Sequence, residues 1–293
     1  MDQTEIIRGV LSWIEKSLNL PLSLDDVAAK SGYSKWHLQR MFKEATGQAM
    51  GAYIRARKLS QASVALRLTS LPILDIALQY HFDSQQTFTR AFRRQFATTP
   101  ARYRRLEEWD TTTICPPILL DSPPLPSPRF ITLQPMKLMG VTQSYTCNLE
   151  QVGYYRAKFR LRFWSQYIRQ AGFIPPVLYG LHHIRPSHSK EDEQEVFYTT
   201  AVDYAQMRGN FIYGQLMELE GGDYAQFTFD GPTEELQDFI MTLYGTYLPM
   251  LGLTRRKGIG IERFCARDLV PSPLQTRMIH CDYFLPVKRN HVK

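Results

Sequence analysis

The hydrophobic pattern of this chain changes period once, and a cluster of prolines marks where. Six of the 18 prolines (Pro116, Pro117, Pro123, Pro124, Pro126 and Pro128) fall within residues 116–128. Such a stretch cannot sustain a helix and is poorly suited to a central strand. At 293 residues the chain is long enough for two ordinary domains, each with its own core. We place an N-terminal domain at 1–110, a semi-rigid proline-rich linker at 111–129 and a C-terminal domain at 130–293.

Before the prolines the period is helical. Ile6, Ile7, Val10, Leu11 and Ile14 recur at three- and four-residue spacing. Ser23 with Asp26 reads as an N-cap with a carboxylate in the first turn. Residues 48–68 read as one longer helix, and Pro72 with Asp75 opens the next, proline being tolerated in a first turn. After the prolines, runs at 141–145, 176–181, 196–202, 211–219, 224–229, 258–264 and 278–286 are β-branched or aromatic and bounded by Gly, Pro or charge. Helical periodicity returns at 149–171 and 232–251. The order, strand then helix then two strands, roughly repeated, predicts an α+β domain on an antiparallel sheet with both helices on one face. The fold class is therefore multidomain, all-α followed by α+β.

Charge divides at the same place. Residues 1–106 hold 16 Lys and Arg against 8 Asp and Glu, whereas 107–293 hold 19 against 20. A basic excess confined to one end suggests a nucleic-acid partner there and another task for the remainder. No apolar run approaches the ~20 residues of a membrane span, and Glu5, Arg8, Glu15 and Lys16 interrupt what a secretory signal would need. A soluble, cytoplasmic protein is expected. The four cysteines (Cys115, Cys147, Cys265 and Cys281) form no C-x-x-C pair and read as reduced thiols. His182, His183 and His188 lack a carboxylate or thiol at ligand spacing and read as a polar loop before the acidic run at 191–195, so no metal and no cofactor are expected.

Within the helical part the chain repeats itself. Asp26-Val27-Ala28 aligns with Asp75-Ile76-Ala77, and Leu38-Gln39-Arg40-Met41-Phe42-Lys43 with Phe88-Thr89-Arg90-Ala91-Phe92-Arg93, at offsets of about 50 residues. Each copy reads as helix, turn, helix, at about 24–45 and 73–96. In the first, Gly32 sits at the reversal and Ser34 is the next N-cap. The second helix of each copy has an apolar stripe and a polar one: Trp36, Gln39, Arg40 and Lys43 in the first, Gln86, Thr89, Arg90 and Arg93 in the second. Gln and Arg offer bidentate hydrogen bonds to adenine and guanine edges in a major groove, and Trp can pack on thymine methyls and sugars. Two unlike copies predict an asymmetric duplex site read by a monomer across adjacent grooves.

These residues are recognisable. Ser34 to Lys43, Pro72 to Ala77 and Phe82 to Phe92 resemble the AraC/XylS family of bacterial transcription regulators, in particular the branch that activates stress and efflux genes. The resemblance covers about 5–106. It implies that Trp36, Gln39 and Arg40 enter one major groove while Gln86 and Arg90 approach the next, and that RNA polymerase is a partner. His81 departs from it, this branch often having glycine there, and a non-Gly residue at positive φ is uncommon, though His is among the better tolerated. DNA-repair methyltransferases with such a domain carry Pro-Cys-His-Arg. Here Cys115 precedes Pro116 and that tetrapeptide is missing.

The C-terminal part resembles the GyrI-like effector-binding domain over about 130–287, through Met139 to Thr142, Gly221 to Pro232, Tyr247-Leu248-Pro249 and Ile261-Glu262-Arg263-Phe264. Glu262 shares a strand face with Gly260 and Phe264, and a carboxylate beside an aromatic ring could pair with a cationic or amphipathic effector. The resemblance implies the same role for Glu262. Relatives more often have Tyr at Phe264. Trp164, Tyr145 and Phe197 could line the same cavity or be plain core. Two rivals share the charge pattern or the domain: an architectural DNA-binding protein with little sequence preference, and a small-molecule hydrolase around Glu262. The Gln and Arg faces argue against the first, and the lack of a second positioned acid, base or nucleophile against the second.

Overall fold

The computed structural model describes residues 3–120, 127–147, 151–173, 175–186, 194–207, 211, 214–265 and 278–288. Seven helices come first: α1 (Gln3–Lys16), α2 (Leu24–Ser31), α3 (Lys35–Thr46), α4 (Met50–Leu68), α5 (Ile73–Gln79), α6 (Gln85–Phe96) and α7 (Pro100–Arg105). The repeat is visible in their ends. Ser23 and Asp26 form a reciprocal capping box on α2, which ends at Gly32 with φ of 74°. Ser34 caps α3 through the His37 N–H. In the second copy Ser84 caps α6 through the Thr87 N–H, and the turn before it is made by His81 at φ of 60°. The left-handed conformation that glycine supplies in copy one is thus kept by histidine in copy two, whose Nε2 lies 2.9 Å from the Asn19 carbonyl oxygen. Pro72 stands one residue ahead of expectation: it occupies the N-cap, and α5 starts at Ile73.

These helices divide between two cores. Ile7, Val10, Ile14, Val27, Leu38 and Phe42 belong to one that holds α1–α3 and ends on α4 at Ile54. From Leu59 onward, α4, α5, α6 and α7 share a single core with the C-terminal domain, so that Phe88, Phe92 and Tyr103 are in one cluster with Trp164, Tyr244 and Tyr283. The second helix-turn-helix and the C-terminal domain are one packed body.

The linker expectation needs correction at its described start. Trp109–Asp110 is a short strand, β1, paired with β8 (Thr254–Arg255), and the Trp109 ring stacks on Tyr244 at 5.2 Å. Thr111 Oγ1 donates to the Leu253 carbonyl at 2.6 Å. The Cys115 N–H donates to Ser60 Oγ and the Ile118 N–H to the Tyr53 hydroxyl, while Ile118 and Leu120 pack on the first core. Pro116 and Pro117 forbid helix and ladder but leave neighbouring N–H groups free to find side-chain acceptors, so the segment is strapped along α4 and is not a spacer. Pro123, Pro124 and Pro126 lie outside the described residues.

The C-terminal domain has the expected class, with two unexpected strands, the two-residue β8 and β2 (Arg129–Leu133), which begins directly after Pro128. It continues β3 (Met136–Tyr145), α8 (Val152–Ala171), β4 (Val177–Pro186), β5 (Gln194–Asp203), β6 (Gln215–Leu219), β7 (Gly222–Pro232), α9 (Leu236–Thr242), α10 (Leu248–Met250), β8, β9 (Gly260–Cys265) and β10 (Met278–Lys288). A π-turn over Leu243–Tyr247 joins α9 to α10. The long strands run antiparallel in the order β2-β7-β10-β9-β4-β5-β3-β6. Each half of the sequence lends its first strand to the edge of the other half: β2 borders β7, and β6 borders β3. The seam between halves is the β4–β9 pair, where Gly180 faces Glu262. His182 and His183 are on β4, not in a loop, and His182 is 1% exposed. They read as polar from sequence because a histidine buried on a sheet has no local signature. His188 lies outside the described residues.

Candidate DNA interface and small-molecule cavity

The two recognition helices show alternate faces as the repeat requires. On α3, Leu38, Met41 and Phe42 are buried, while Trp36 is 71% exposed, Arg40 and Lys43 are exposed and Gln39 is half-buried. On α6, Phe88, Phe92 and Phe96 are buried, Gln86, Arg90 and Arg93 are exposed and Thr89 is half-buried. Trp36 thus leaves most of a large apolar ring in contact with solvent. The Arg40 guanidinium lies 5.4 Å from the Trp36 ring centroid, and its Nε 3.3 Å from Glu44, which holds its fork along the exposed face of α3. The basic residues of the same domain that are not exposed have structural tasks. Arg57 is paired with Glu15 at 2.7 Å, and Arg67 donates to the carbonyls of Tyr103 and Arg104 at the end of α7, its pKa lowered to about 10 by burial and by Arg255.

In the C-terminal domain Glu262 is fully buried. Its Oε1 accepts from Arg156 at 2.8 Å, and its Oε2 accepts from Arg160 at 3.0 Å and from the Tyr198 hydroxyl at 2.6 Å. Both arginines come from α8, one turn apart, and are buried in their turn. Burial opposes the charge of each, but Tyr145 and Glu262 for Arg156, and Tyr198 and Glu262 for Arg160, outweigh it and raise both guanidinium pKa values. Gly180 leaves the room required: a Cβ there would stand 2.1 Å from the Tyr198 hydroxyl and 2.7 Å from Glu262 Oε2. The group carries two positive charges and one negative, in a place with little water to screen them.

A cavity of about 510 Å³ opens beside this group between α8 and α9. Glu262, Arg156 and Arg160 form its buried polar end and Leu236, Ile240 and Met241 its apolar wall, while the exposed carboxylates Glu234 and Asp238 line it from the α9 side. Of the aromatic residues nominated from sequence, none lines it. Tyr145 is on the same sheet face and accepts a long hydrogen bond from Arg156 Nε at 3.5 Å. Phe264 lies under the Arg160 guanidinium at 4.7 Å, Trp164 is in the shared core, and Phe197 points to the opposite face, where His183 stacks on it. Arg156 and Arg160 were missed because arginines on an amphipathic helix normally face water. Their spacing did carry a signal: with Phe163, Trp164 and Tyr167 they fall at i, i+4, i+7, i+8 and i+11, on the buried stripe.

Two helix-turn-helix units with exposed polar faces, joined to a domain with a partly open cavity, define a DNA-binding regulator with a small-molecule-binding module. Residues 27–106 match the model of a helix-turn-helix domain, and residues 126–288 match that of a GyrI-like small molecule binding domain. The chain is 55% identical over 289 residues to the right origin-binding protein of Escherichia coli K12, covering 99% of this chain and all of that one. It is 54% identical, over the same length, to the transcriptional regulator Rob of Salmonella typhimurium LT2. The regulatory protein SoxS of E. coli K12 is 53% identical over 104 residues, 36% of this chain and 97% of its own. The chain belongs to the AraC/XylS family of DNA-binding transcription regulators, in the group that carries a GyrI-like domain. No helix among the described residues is long and apolar enough to cross a membrane.

Proposed function

We propose that the protein is a sequence-specific activator of stress and efflux genes, acting in the cytoplasm as a monomer on an asymmetric duplex site. Trp36, Gln39, Arg40 and Lys43 read one major groove, and Gln86, Thr89, Arg90 and Arg93 approach the next. The observation that carries this is the full or partial exposure of the same polar positions on two helices whose large apolar side chains, Leu38, Met41 and Phe42 on one and Phe88, Phe92 and Phe96 on the other, are buried. Exposed Lys and Arg contacts to phosphate supply salt-sensitive affinity, and base edges supply specificity. RNA polymerase is the second macromolecular partner, as for the family.

The C-terminal domain adjusts this activity through a small amphipathic effector in the cavity between α8 and α9. Both carboxylate oxygens of Glu262 are already occupied by Arg156, Arg160 and Tyr198, so at the buried end a cationic effector has to displace an arginine, whereas an anionic end meets a group with one positive charge in excess; Glu234 and Asp238 are the exposed carboxylates of the α9 side, where a cationic part would fit. Selection from a random duplex pool by the full-length protein at about 150 mM salt, where non-specific binding is weak, is expected to return one asymmetric motif with two elements about 10 base pairs apart. Arg40→Ala is expected to lose about 1–3 kcal/mol and to relax one base position. A pool without enrichment points instead to an architectural protein, and unaltered discrimination by Arg40→Ala removes that residue from the readout.

A further inference from the structure

We propose that the DNA-binding domain closes the effector cavity, so that the bound molecule touches both domains and its occupancy is coupled to the second helix-turn-helix and not to the first. The inference rests on reading the cavity as an effector site, and deepens that reading by adding residues that neither sequence nor domain boundary would place there. Two lining residues come from the helical domain: Gln61 on α4 and Tyr80 at the end of α5. Gln61 reaches the far side of the cavity where α4 borders the π-turn, and a Cβ on Gly245 would lie 4.0 Å from its Nε2, in ordinary van der Waals contact. Tyr80 is 3% exposed and in the shared core, and the residue after it is His81, whose left-handed backbone turns the chain into the α6 cap. A molecule pressing on Tyr80 therefore presses on the turn that positions Gln86 and Arg90.

The docking of the two domains is specific where this path begins. The Gln194 side-chain amide, at the start of β5, donates to the carbonyls of Leu66 at 2.8 Å and Thr69 at 2.6 Å. These carbonyls belong to the C-terminal turn of α4, which no intrahelical donor satisfies. The first helix-turn-helix has a separate core and contributes no lining residue. Coupling of this kind is reciprocal: the factor by which the ligand changes affinity for DNA equals the factor by which DNA changes affinity for the ligand.

The test uses the full-length protein and 8-anilinonaphthalene-1-sulfonate, an amphipathic anion whose sulfonate suits the arginine end and whose rings suit Leu236 and Ile240. Probe fluorescence is titrated with the parent, with Ile240→Trp, which fills the cavity from the effector side, and with Gln61→Trp, which fills it from the half-buried face of α4. Tyr80→Phe, which keeps the packing, reports on the hydroxyl. Loss of about tenfold in affinity, roughly one good contact, in both Trp variants is the expected result. Weakening by Ile240→Trp alone leaves the effector site standing and overturns the shared wall; no change in either removes the effector reading as well. On a duplex with both elements, saturating probe is expected to alter affinity, and scrambling the element assigned to Arg90 should abolish that change while scrambling the element assigned to Arg40 preserves it. The opposite pattern, or no effect of probe on DNA affinity, overturns the coupling.

Discussion

Residues at matching positions of the repeat show how one backbone is written in two ways. Gly32 and Gly47 hold the left-handed positions of the first copy at φ of 74° and 75°, and His81 and Ala97 hold those of the second at 60° and 55°. For His81 a hydrogen bond to Asn19 offsets the backbone cost. Ala97 has only a methyl group, and an exposed one, to set against a left-handed conformation costing roughly 1–2 kcal/mol. Ala97→Gly is therefore expected to raise stability by about 0.5–1 kcal/mol, visible as a higher midpoint in thermal unfolding; a fall would mean that glycine's greater unfolded-state freedom prevails. Reading the residues alone was enough to nominate the outward faces of α3 and α6, since alternation of apolar and polar positions on a helix is a local property. It was not enough for Arg156 and Arg160, because their role depends on a carboxylate about 100 positions later in the chain.

At the level of elements, the long strands were legible and the short ones were not. β2 has five residues after a proline, and β1 and β8 have two each; their identity comes from partners, not from pattern. α8 is the element on which the cavity depends, holding both arginines over β9. Glu262→Gln leaves two buried guanidiniums without a counter-charge and is expected to cost about 3–5 kcal/mol in urea unfolding. Replacing the whole group in one chain (Glu262→Met, Arg156→Leu, Arg160→Leu) should recover most of that loss while abolishing any preference for an anionic probe. A recovery no better than the single variant would show that the charges hold α8 in place by more than mutual compensation.

The strand β4 supplies a separate, pH-dependent contribution. Burial first, then Arg156, Arg255 and His183, holds the His182 imidazole well below its ordinary pKa, and among the described residues neither of its ring nitrogens has a hydrogen-bond partner. Burial and Arg185 lower His183 to about 4. Both rings are neutral when folded, while the unfolded chain takes up protons as pH falls through about 6.5. Stability is thus unaffected by these groups above neutral pH and declines as pH drops from 7 towards 5.5, before most carboxylates titrate. Parallel unfolding curves for the parent and for His182→Phe should converge at pH 7.5 and diverge at 5.5, with the variant flatter; equal slopes would mean that His182 protonates in the folded protein too.

Taken as a whole, the molecule is not divided where its prolines suggest. Composition located a change of fold class correctly, but a change of class is not a gap in packing, and sequence offers no measure of what two domains bury between them. Gln194→Ala is expected to leave the Leu66 and Thr69 carbonyls unpaired at a cost of about 1–3 kcal/mol. Hydrogen exchange should quicken at the end of α4, in α5 and in α6 while α1–α3 keep their protection, and a uniform change over all seven helices would contradict two separate cores.

The sharing of one core between α4–α7 and the sheet domain also sets how such chains can be recombined. A hybrid joined in the proline cluster would cut through contacts made by Trp109 and Thr111 and would pair a second helix-turn-helix with a sheet surface that it did not evolve against. A joint inside α4, between Ile54 and Leu59, passes between the buried residues of the two cores, although Ile118 and Leu120 of the strap then have to match the first core on which they pack. New operator preferences in the first half of the site can then be grafted as a cassette, whereas those of the second half have to travel with the effector domain.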